Sequence, residues 1–453
     1  MKDLIHIDLV PNFQEDDYQI IKDSLKEKYK KNDFEKIEEK ILEIFRNYFP
    51  KGELFFFNSA RSALAFLLKT ISEKLEIDLN KPNSYSNKSK ALNKNLSQGK
   101  NQNESEAEIV TQAFSCLVVP NSIKFAGYKP IYTDIDESYN ISPEDLKNKI
   151  SYKTKAIIIQ NTFGLPAKIE EILKIANQNY ILVIENLTHS LGALFKNEYL
   201  GNFGEVALLS FNRNKVISSI TGGALVINNK ELATKIKNYY SQLPDISQKE
   251  IKKILLTGKI LYEAKNKYNF LTKVYLKILR KTRITLEMIS EREKSGIFLK
   301  DSIYKMPKNL YPLLLNQLKK LEDFKQQRKK ISNIYQDFFN NLEKQNIYHN
   351  FQINQDSSPI FLRYPVLSEE RNKIIQDFKF KNIYLGDWYN CVLAPCPNFV
   401  KKEDINIFLE KFDYNIGSCR VAEKISKFSL NLPTLIKETE ALRIIEIISE
   451  IKF

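Results

Sequence analysis

The chain has 453 residues, of which 43% are hydrophobic and 11% aromatic, so it is long enough for two or three domains with substantial apolar cores. Its four cysteines are scattered without CxxC spacing and it has only three histidines, which argues against a disulfide framework and a His-rich metal site. The N-terminus carries no signal peptide and no long apolar run, so we expect a cytoplasmic protein.

The formal charge of +14 raises the question of nucleic-acid binding. However, the lysines are spread through Asn- and Ile-rich sequence, and no nucleic-acid-binding motif is found. An anionic small-molecule substrate fits the charge equally well, and we expect no nucleic-acid partner.

The first elements are an N-terminal arm and helix over residues 1–50, in which 14–48 have a charged helical pattern. The apolar strand "GELFFFNSA" then leads through a tight turn into the helix "SARSALAFLLKTISEKL", which has a Ser start signal. Residues 78–107 are rich in Asn, Lys and Ser, which predicts a flexible surface insertion.

From residue 109 onward, short apolar strands alternate with amphipathic helices, ending with the strand "YILVIEN". This alternation predicts an α/β fold with a mostly parallel sheet covered by helices on both faces, within a large domain over 51–244. Ligands of such sheets collect at the carboxyl ends of the strands, so the polar residues that end the strands are the candidates for a site.

Residues 245–305 form a basic helical insertion in which positions 264, 268, 271, 275 and 278 are predicted to form an apolar stripe. We favour packing of this insertion on its own subunit or on a dimer partner over contact of 245–300 with a membrane surface. A long amphipathic helix then leads into a smaller α+β C-terminal domain over 306–453, whose strands begin near "SPIFLRYPVL".

The stretch "LLSFNRNKVISSITGGALVINN" places Lys215 directly beyond a strand that must be buried, five residues after Ser210. A lysine desolvated at a strand end has a lowered pKa, and its neutral amine can attack a carbonyl; the alternative is a side chain that reaches solvent. The pair Gly222 and Gly223 lets the backbone turn sharply or approach another group closely.

Two further motifs could hold a ligand. "FNSARSALAFLL" places Ser59, Ala60, Arg61 and Ser62 at a helix N-terminus, where backbone N–H groups attract phosphate, although a simple helix cap explains the pattern equally well. "YILVIENLTHSLGA" ends a strand with Glu185 and Asn186, which can address the edge of a heterocycle, and His189 follows as a ligand or a structural histidine.

Together these motifs resemble the DegT family of sugar aminotransferases, which depend on pyridoxal phosphate (PLP) and have the type I fold of the aspartate aminotransferase superfamily. The resemblance is strongest over about 50–240, through "NSARSAL", "VIENLTHSLGA" and "SFNRNKVISSITGGALV", and extends to "GSCRVAEKISKFSLNLPT" near the C-terminus. It implies that 51–244 is the PLP-binding domain and that the protein is a homodimer with its active site at the subunit interface.

The resemblance also implies a role for each site residue. Lys215 would be the Schiff-base lysine and proton shuttle, while Ser210 and the turn at Ala60, Arg61 and Ser62 would hold the phosphate. His189 would lie beside the phenolic oxygen of the cofactor. Cys116 stands where many members stack an aromatic ring on the pyridine, so that contact is altered or passes to Phe114.

Asn186 departs from the family pattern, in which an Asp at this position keeps the pyridine nitrogen protonated. An asparagine offers only a neutral hydrogen bond, so carbanion formation should be harder, and each ~1.4 kcal/mol costs tenfold in rate. PLP could therefore bind while transamination is slow.

The resemblance predicts transfer of an amino group from an amino acid, with glutamate favoured, to a nucleotide-linked keto-sugar for surface polysaccharide or glycan synthesis. One alternative is a PLP-dependent sugar dehydratase, which the presence of Lys215 disfavours because such members replace that lysine. The other is a catalytically impaired PLP-binding homologue with a regulatory or partner role, which Asn186 suggests.

Overall fold

The computed structural model describes residues 4–74, 107–282, 284–298, 302–341, 347–349, 351–396 and 402–450. The predicted flexible insertion, 78–107, lies outside these residues except for its last position. Within the described ranges, no helix is both long enough and apolar enough to cross a bilayer.

The α-helices of the described residues are, in chain order, α1 (Glu15–Leu25), α2 (Lys31–Tyr48), α3 (Ala60–Lys74), α4 (Val118–Phe125), α5 (Pro143–Lys149), α6 (Ile169–Gln178), α7 (Lys230–Ser241), α8 (Gln248–Asn266), α9 (Phe270–Lys281), α10 (Glu291–Lys294), α11 (Tyr311–Lys319), α12 (Leu321–Asn340), α13 (Arg371–Phe380), α14 (Lys402–Glu410), α15 (Arg420–Phe428) and α16 (Glu438–Glu450).

The strands are β1 (Ile5–His6), β2 (Glu53–Phe57), β3 (Glu108–Gln112), β4 (Ser115–Cys116), β5 (Lys129–Thr133), β6 (Thr154–Gln160), β7 (Leu182–Asn186), β8 (Leu194–Phe195), β9 (Glu198–Tyr199), β10 (Val206–Ser210), β11 (Gly223–Ile227), β12 (Ile347–Tyr348), β13 (Ser357–Ser358), β14 (Arg363–Ser368), β15 (Ile383–Tyr384), β16 (Leu393–Ala394) and β17 (Ser429–Pro433). Short 3₁₀ turns cover Thr162–Gly164 and Lys308–Leu310.

The central sheet has the strand order β2-β11-β10-β7-β6-β3-β5 among the described residues. Neighbouring strands from β10 to β5 run parallel, whereas β11 is antiparallel to both β10 and β2. This arrangement confirms the predicted α/β fold with a mostly parallel sheet.

Both faces of the sheet are buried. In β6, Ile157 and Ile159 belong to one core cluster and Ala156 and Ile158 to another on the opposite face, because successive side chains of a strand alternate sides. A strand buried on both faces is apolar at most of its positions, which explains the near-continuous apolar runs that made these strands readable from sequence.

The C-terminal part packs around a third core cluster and a small sheet of order β12-β14-β17. The long helix predicted before it consists of two consecutive helices, α11 and α12, which are separated at Lys320. Strand β14 lies in the segment "SPIFLRYPVL", where the strands of this domain were predicted to begin, although the short strand β12 precedes it.

The single apolar stripe predicted for the insertion is wrong. Helix α8 ends at Asn266, and Asn269 caps a new helix, α9, by accepting a hydrogen bond from the Thr272 N–H at 2.9 Å. Because the two helices have separate axes, the predicted stripe positions in α8 and in α9 do not share one face: Ala264 is buried in the protein while Leu271 is exposed. Helix α8 packs against α1, whereas one side of α9 faces solvent.

Candidate active site

Lys215 lies in the loop that joins β10 to β11, at the carboxyl end of the sheet. Ser210 ends β10 opposite Gly223, and the Phe211 N–H donates to the Gly222 carbonyl at 2.9 Å, so the loop leaves and re-enters the sheet at one point. Lys215 is half-buried, and burial lowers the pKa of its amine from 10.5 to about 8. The charge of Arg363 lowers this pKa further, while Asp8 opposes it.

The two glycines allow helix α3 to approach this loop. A Cβ atom at Gly223 would lie 2.4 Å from the backbone nitrogen of Ala60, closer than real contacts permit. Gly222 has a φ of +122°, a conformation that favours glycine. The N-terminal turn of α3 is therefore packed directly beside Ser210 and Gly222, where its first N–H groups can face an anion.

The side chains of this turn have other partners. The Arg61 guanidinium donates to the Glu293 carboxylate and to the Met288 carbonyl. Ser62 is buried; its hydroxyl lies 2.7 Å from the Ser59 hydroxyl and donates to the Ser302 carbonyl at 3.0 Å. An anion at the turn would thus be held by backbone N–H groups rather than by these side chains.

Asn186 ends β7, in register with Leu208 of β10 and Gln160 of β6. Its Oδ1 atom accepts a hydrogen bond from the Thr188 N–H at 3.2 Å, which assigns the oxygen of the amide and leaves Nδ2 as the donor. The preceding Glu185 points to the other face of the sheet, where it accepts hydrogen bonds from three backbone N–H groups, so only Asn186 belongs to the site.

His189 is a buried neutral imidazole. Its Nδ1 accepts a hydrogen bond from the Phe163 N–H at 3.2 Å, so the proton of the neutral ring is on Nε2, which lies 3.4 Å from the Tyr389 hydroxyl. Burial, together with the charges of Lys215 and Arg363, holds the pKa of His189 well below its usual value. The ring can therefore donate one hydrogen bond without carrying charge.

Cys116 lines the same cavity as Lys215, and burial raises the pKa of its thiol. Phe114, the alternative stacking residue considered from the sequence, is fully buried and packs edge-on against Tyr389. It is not among the residues that line the cavity.

Trp388 is the aromatic side chain that accompanies Lys215, and sequence reasoning missed it. The Lys215 Nζ lies 4.8 Å from the centroid of the Trp388 ring. This ring stacks on His189, with 5.1 Å between the ring centroids, and the Cζ atom of Arg363 lies 3.5 Å from the Trp388 centroid. Arg363 in turn donates to the carboxylate of Asp8. The signal available in the sequence was that Trp388 is the only tryptophan of the chain.

A cavity of about 500 Å³ brings these groups together. Of the eight residues predicted from the sequence, Ser62 does not line the cavity. The other seven do: Ala60, Arg61, Cys116, Asn186, His189, Ser210 and Lys215. Gln160, Trp388 and Tyr389 also line the cavity and were not predicted. Volume and lining suit a small molecule with an anionic group and a flat ring.

The fold and the site define a class of protein: an α/β enzyme with a lysine nucleophile at the carboxyl end of its sheet. The chain belongs to the DegT/DnrJ/EryC1/StrS aminotransferase family, whose sequence profile matches residues 83–255 and 293–451, most of the chain. Membership confirms the predicted family and enzyme class, and PLP is the cofactor of this family.

Three similar proteins illustrate the relationship. An uncharacterised protein of Methanocaldococcus jannaschii, MJ1066, is 28% identical over 76% of this chain and 78% of its own. A UDP-4-amino-4,6-dideoxy-N-acetyl-β-L-altrosamine transaminase of Helicobacter pylori is 29% identical, but the match covers only 32% of this chain and 40% of that protein. The structure of an E. coli GDP-4-keto-6-deoxy-D-mannose-3-dehydratase with hydrated PLP superposes with a TM-score of 0.64 at 18% identity, over 96% of this chain and 97% of that one.

Proposed function

We propose that the protein transfers an amino group from an amino acid, with glutamate as donor, to the keto group of a nucleotide-linked sugar, in the cytoplasm. The product would serve surface polysaccharide or glycan synthesis. The observation that carries the proposal is the Lys215 amine, whose pKa is lowered to about 8 in a cavity beside a helix N-terminus. The nucleotide-sugar substrate is supported by the name of the H. pylori relative.

The residues of the cavity fit PLP. The backbone N–H groups at the start of α3 and the Ser210 hydroxyl would hold the phosphate, and the close approach at Gly223 is what puts these groups together. His189 would donate its Nε2–H to the phenolic oxygen, and Asn186 would donate Nδ2–H to the ring nitrogen. We propose no phosphate contact for the side chains of Arg61 and Ser62.

When bound, PLP supplies an aldehyde and a ring that accepts electrons from the substrate carbon. The chain supplies an amine that is neutral often enough to react. With a pKa of about 8, roughly a tenth of Lys215 is unprotonated at pH 7, against about 0.03% of a lysine with a pKa of 10.5. The same amine would also accept the proton that leaves the substrate carbon and donate it again later in the transfer.

The neighbours of Lys215 limit where its amine can lie. Trp388 borders it on one side, and the backbone there is held because the Trp388 carbonyl accepts from the Ser429 hydroxyl at 2.9 Å and the Asn431 amide at 2.7 Å. Burial among these neighbours is what lowers the pKa of the amine.

Asn186 is the observation that favours a second candidate, a PLP-binding homologue with little turnover and a regulatory role. A neutral donor cannot pair with a protonated pyridine nitrogen as a carboxylate can. A sugar dehydratase is a further alternative, supported by the fold of the E. coli neighbour but disfavoured by the presence of Lys215.

We also propose that the protein is a homodimer.

The test is a half-reaction with purified protein loaded with PLP. Adding glutamate should convert the visible absorbance of the lysine-bound cofactor into that of the aminated cofactor, and adding a nucleotide-linked 4-keto-sugar should restore it. Lys215→Ala should show neither change, and Lys265→Ala, a partly buried lysine outside the 500 Å³ cavity, should show both. A lysine-bound spectrum that no amino acid alters would reject aminotransfer and favour the regulatory homologue.

A further inference from the structure

Helix α9 exposes an apolar surface that no described part of the protein covers. Five residues form this outer face, and their side chains are between 41% and 76% exposed: Phe270, Leu271, Val274, Tyr275 and Ile278. At about 100° per residue they span about 140° of the helix circumference, so they form one continuous face. An apolar face of this kind indicates a contact with another surface.

The opposite side of α9 is already used within the protein. Leu279 is buried, and Leu276 lines the cavity that contains Lys215. The Lys273 amine lies over the rings of Tyr268 and Tyr384, at 5.4 and 5.2 Å. Because its inner side is anchored to the protein, α9 is a formed helix and its outer face is a surface feature rather than part of the core.

The charged side chains of α9 itself are all positive. Lys277 and Lys281 are exposed; at about 100° per residue, Lys277 lies about 20° beyond one edge of the face and Lys281 lies at its C-terminal end. The sequence from 264 to 286 contains seven Lys and Arg residues and is bounded by Glu263 and Glu287. A two-fold contact between two copies centred on α9 would place these like charges against each other, which opposes association. A surface that is both apolar and negatively charged would match the face.

We propose that the outer face of α9 binds an anionic lipid surface. The convex helix would place Phe270, Leu271 and Ile278 among the acyl chains near the headgroups, while Lys277 and Lys281 contact lipid phosphates. Contact would be peripheral and reversible.

Sedimentation of the full chain with vesicles tests this proposal. The wild-type protein should sediment with phosphatidylserine-containing vesicles, remain in solution with pure phosphatidylcholine, and be released by about 0.5 M salt, which shortens the range of electrostatic attraction. The double variant Leu271→Ser/Ile278→Ser should bind at least about tenfold more weakly, and so should Lys277→Glu/Lys281→Glu.

Matched controls separate the face from general effects. Phe380→Ser/Leu442→Ser removes two exposed apolar residues elsewhere, and Lys147→Glu/Lys237→Glu makes the same change in net charge; both should bind like the wild type. Retained PLP binding by every variant will show that each is folded. None of the substituted residues lines the Lys215 cavity.

Three results would overturn the proposal. One is binding that is equal for neutral and anionic vesicles. Another is vesicle binding that the α9 variants retain. The third is a smaller oligomer in light scattering for Leu271→Ser/Ile278→Ser together with no vesicle binding by the wild type, which would assign the outer face to a contact between copies.

Discussion

Replacing Asn186 with Asp tests whether the missing carboxylate limits this site. Asn186 is 3% exposed, and one backbone N–H, that of Thr188, bonds its Oδ1. A buried carboxylate without a cationic partner should lower the free energy of unfolding of the cofactor-free protein by about 3 kcal/mol. A protonated pyridine nitrogen would provide that partner, so PLP should restore the stability and bind up to about a hundredfold more tightly.

The assay combines urea unfolding with and without PLP, titration with PLP, and the glutamate half-reaction. The half-reaction of Asn186→Asp should be faster by about tenfold for each 1.4 kcal/mol by which the ion pair lowers the barrier. Asn140→Asp is the control, because Asn140 is equally buried but hydrogen-bonds to Ser138, Thr162 and Leu165 instead of lining the cavity; PLP should not restore its stability. Unchanged PLP affinity and an unchanged half-reaction in Asn186→Asp would refute the reasoning.

Three other predictions follow from the geometry. Capture of PLP by the cofactor-free protein should accelerate as the pH rises through about 8, because the neutral Lys215 amine is the reactive form; stopped-flow absorbance that shows no inflection below pH 10 would contradict the lowered pKa. PLP should quench the fluorescence of Trp388, the only tryptophan, which lies 4.8 Å from the Lys215 amine, and Lys215→Ala should reduce that quenching. Gly223→Ala should cost about 1 to 3 kcal/mol in urea unfolding and weaken PLP binding, because the new methyl group collides with Ala60. Gly127→Ala adds backbone strain, because Gly127 has a φ of +85°, but no collision, so it should leave PLP binding unchanged.

Much of the α/β domain could be predicted because its strands are buried on both faces. Continuous apolar runs such as "KAIIIQN" and the polar residue that ends each one can be read directly from the sequence. The register of β6, β7 and β10 then brings Asn186 and Ser210 to the same edge. Local sequence therefore sufficed for residues whose position depends on strand ends.

Side-chain direction and long-range contacts could not be read in this way. Arg61 precedes Glu293 by more than two hundred residues, so the hydrogen bond from its guanidinium to the Glu293 carboxylate depends on how the 245–305 insertion packs against α3. The surroundings of Lys215 likewise come from distant parts of the chain. Trp388 lies beside its amine, Arg363 lies on the Trp388 ring, and Asp8 accepts a hydrogen bond from Arg363. The break before α9 was readable in principle, since Asn269 is a good helix cap, but the apolar spacing on either side of it suggested a single stripe.

The most direct test of the account is to find which lysine holds the cofactor. The PLP-loaded protein would be reduced with borohydride, which fixes pyridoxal to the amine that bound it, and digested for mass spectrometry. We predict one pyridoxyl group on Lys215, although the chain contains 58 lysines, because burial has made this amine the more reactive one. Label that is spread over surface lysines while Lys215 remains unmodified would contradict the account.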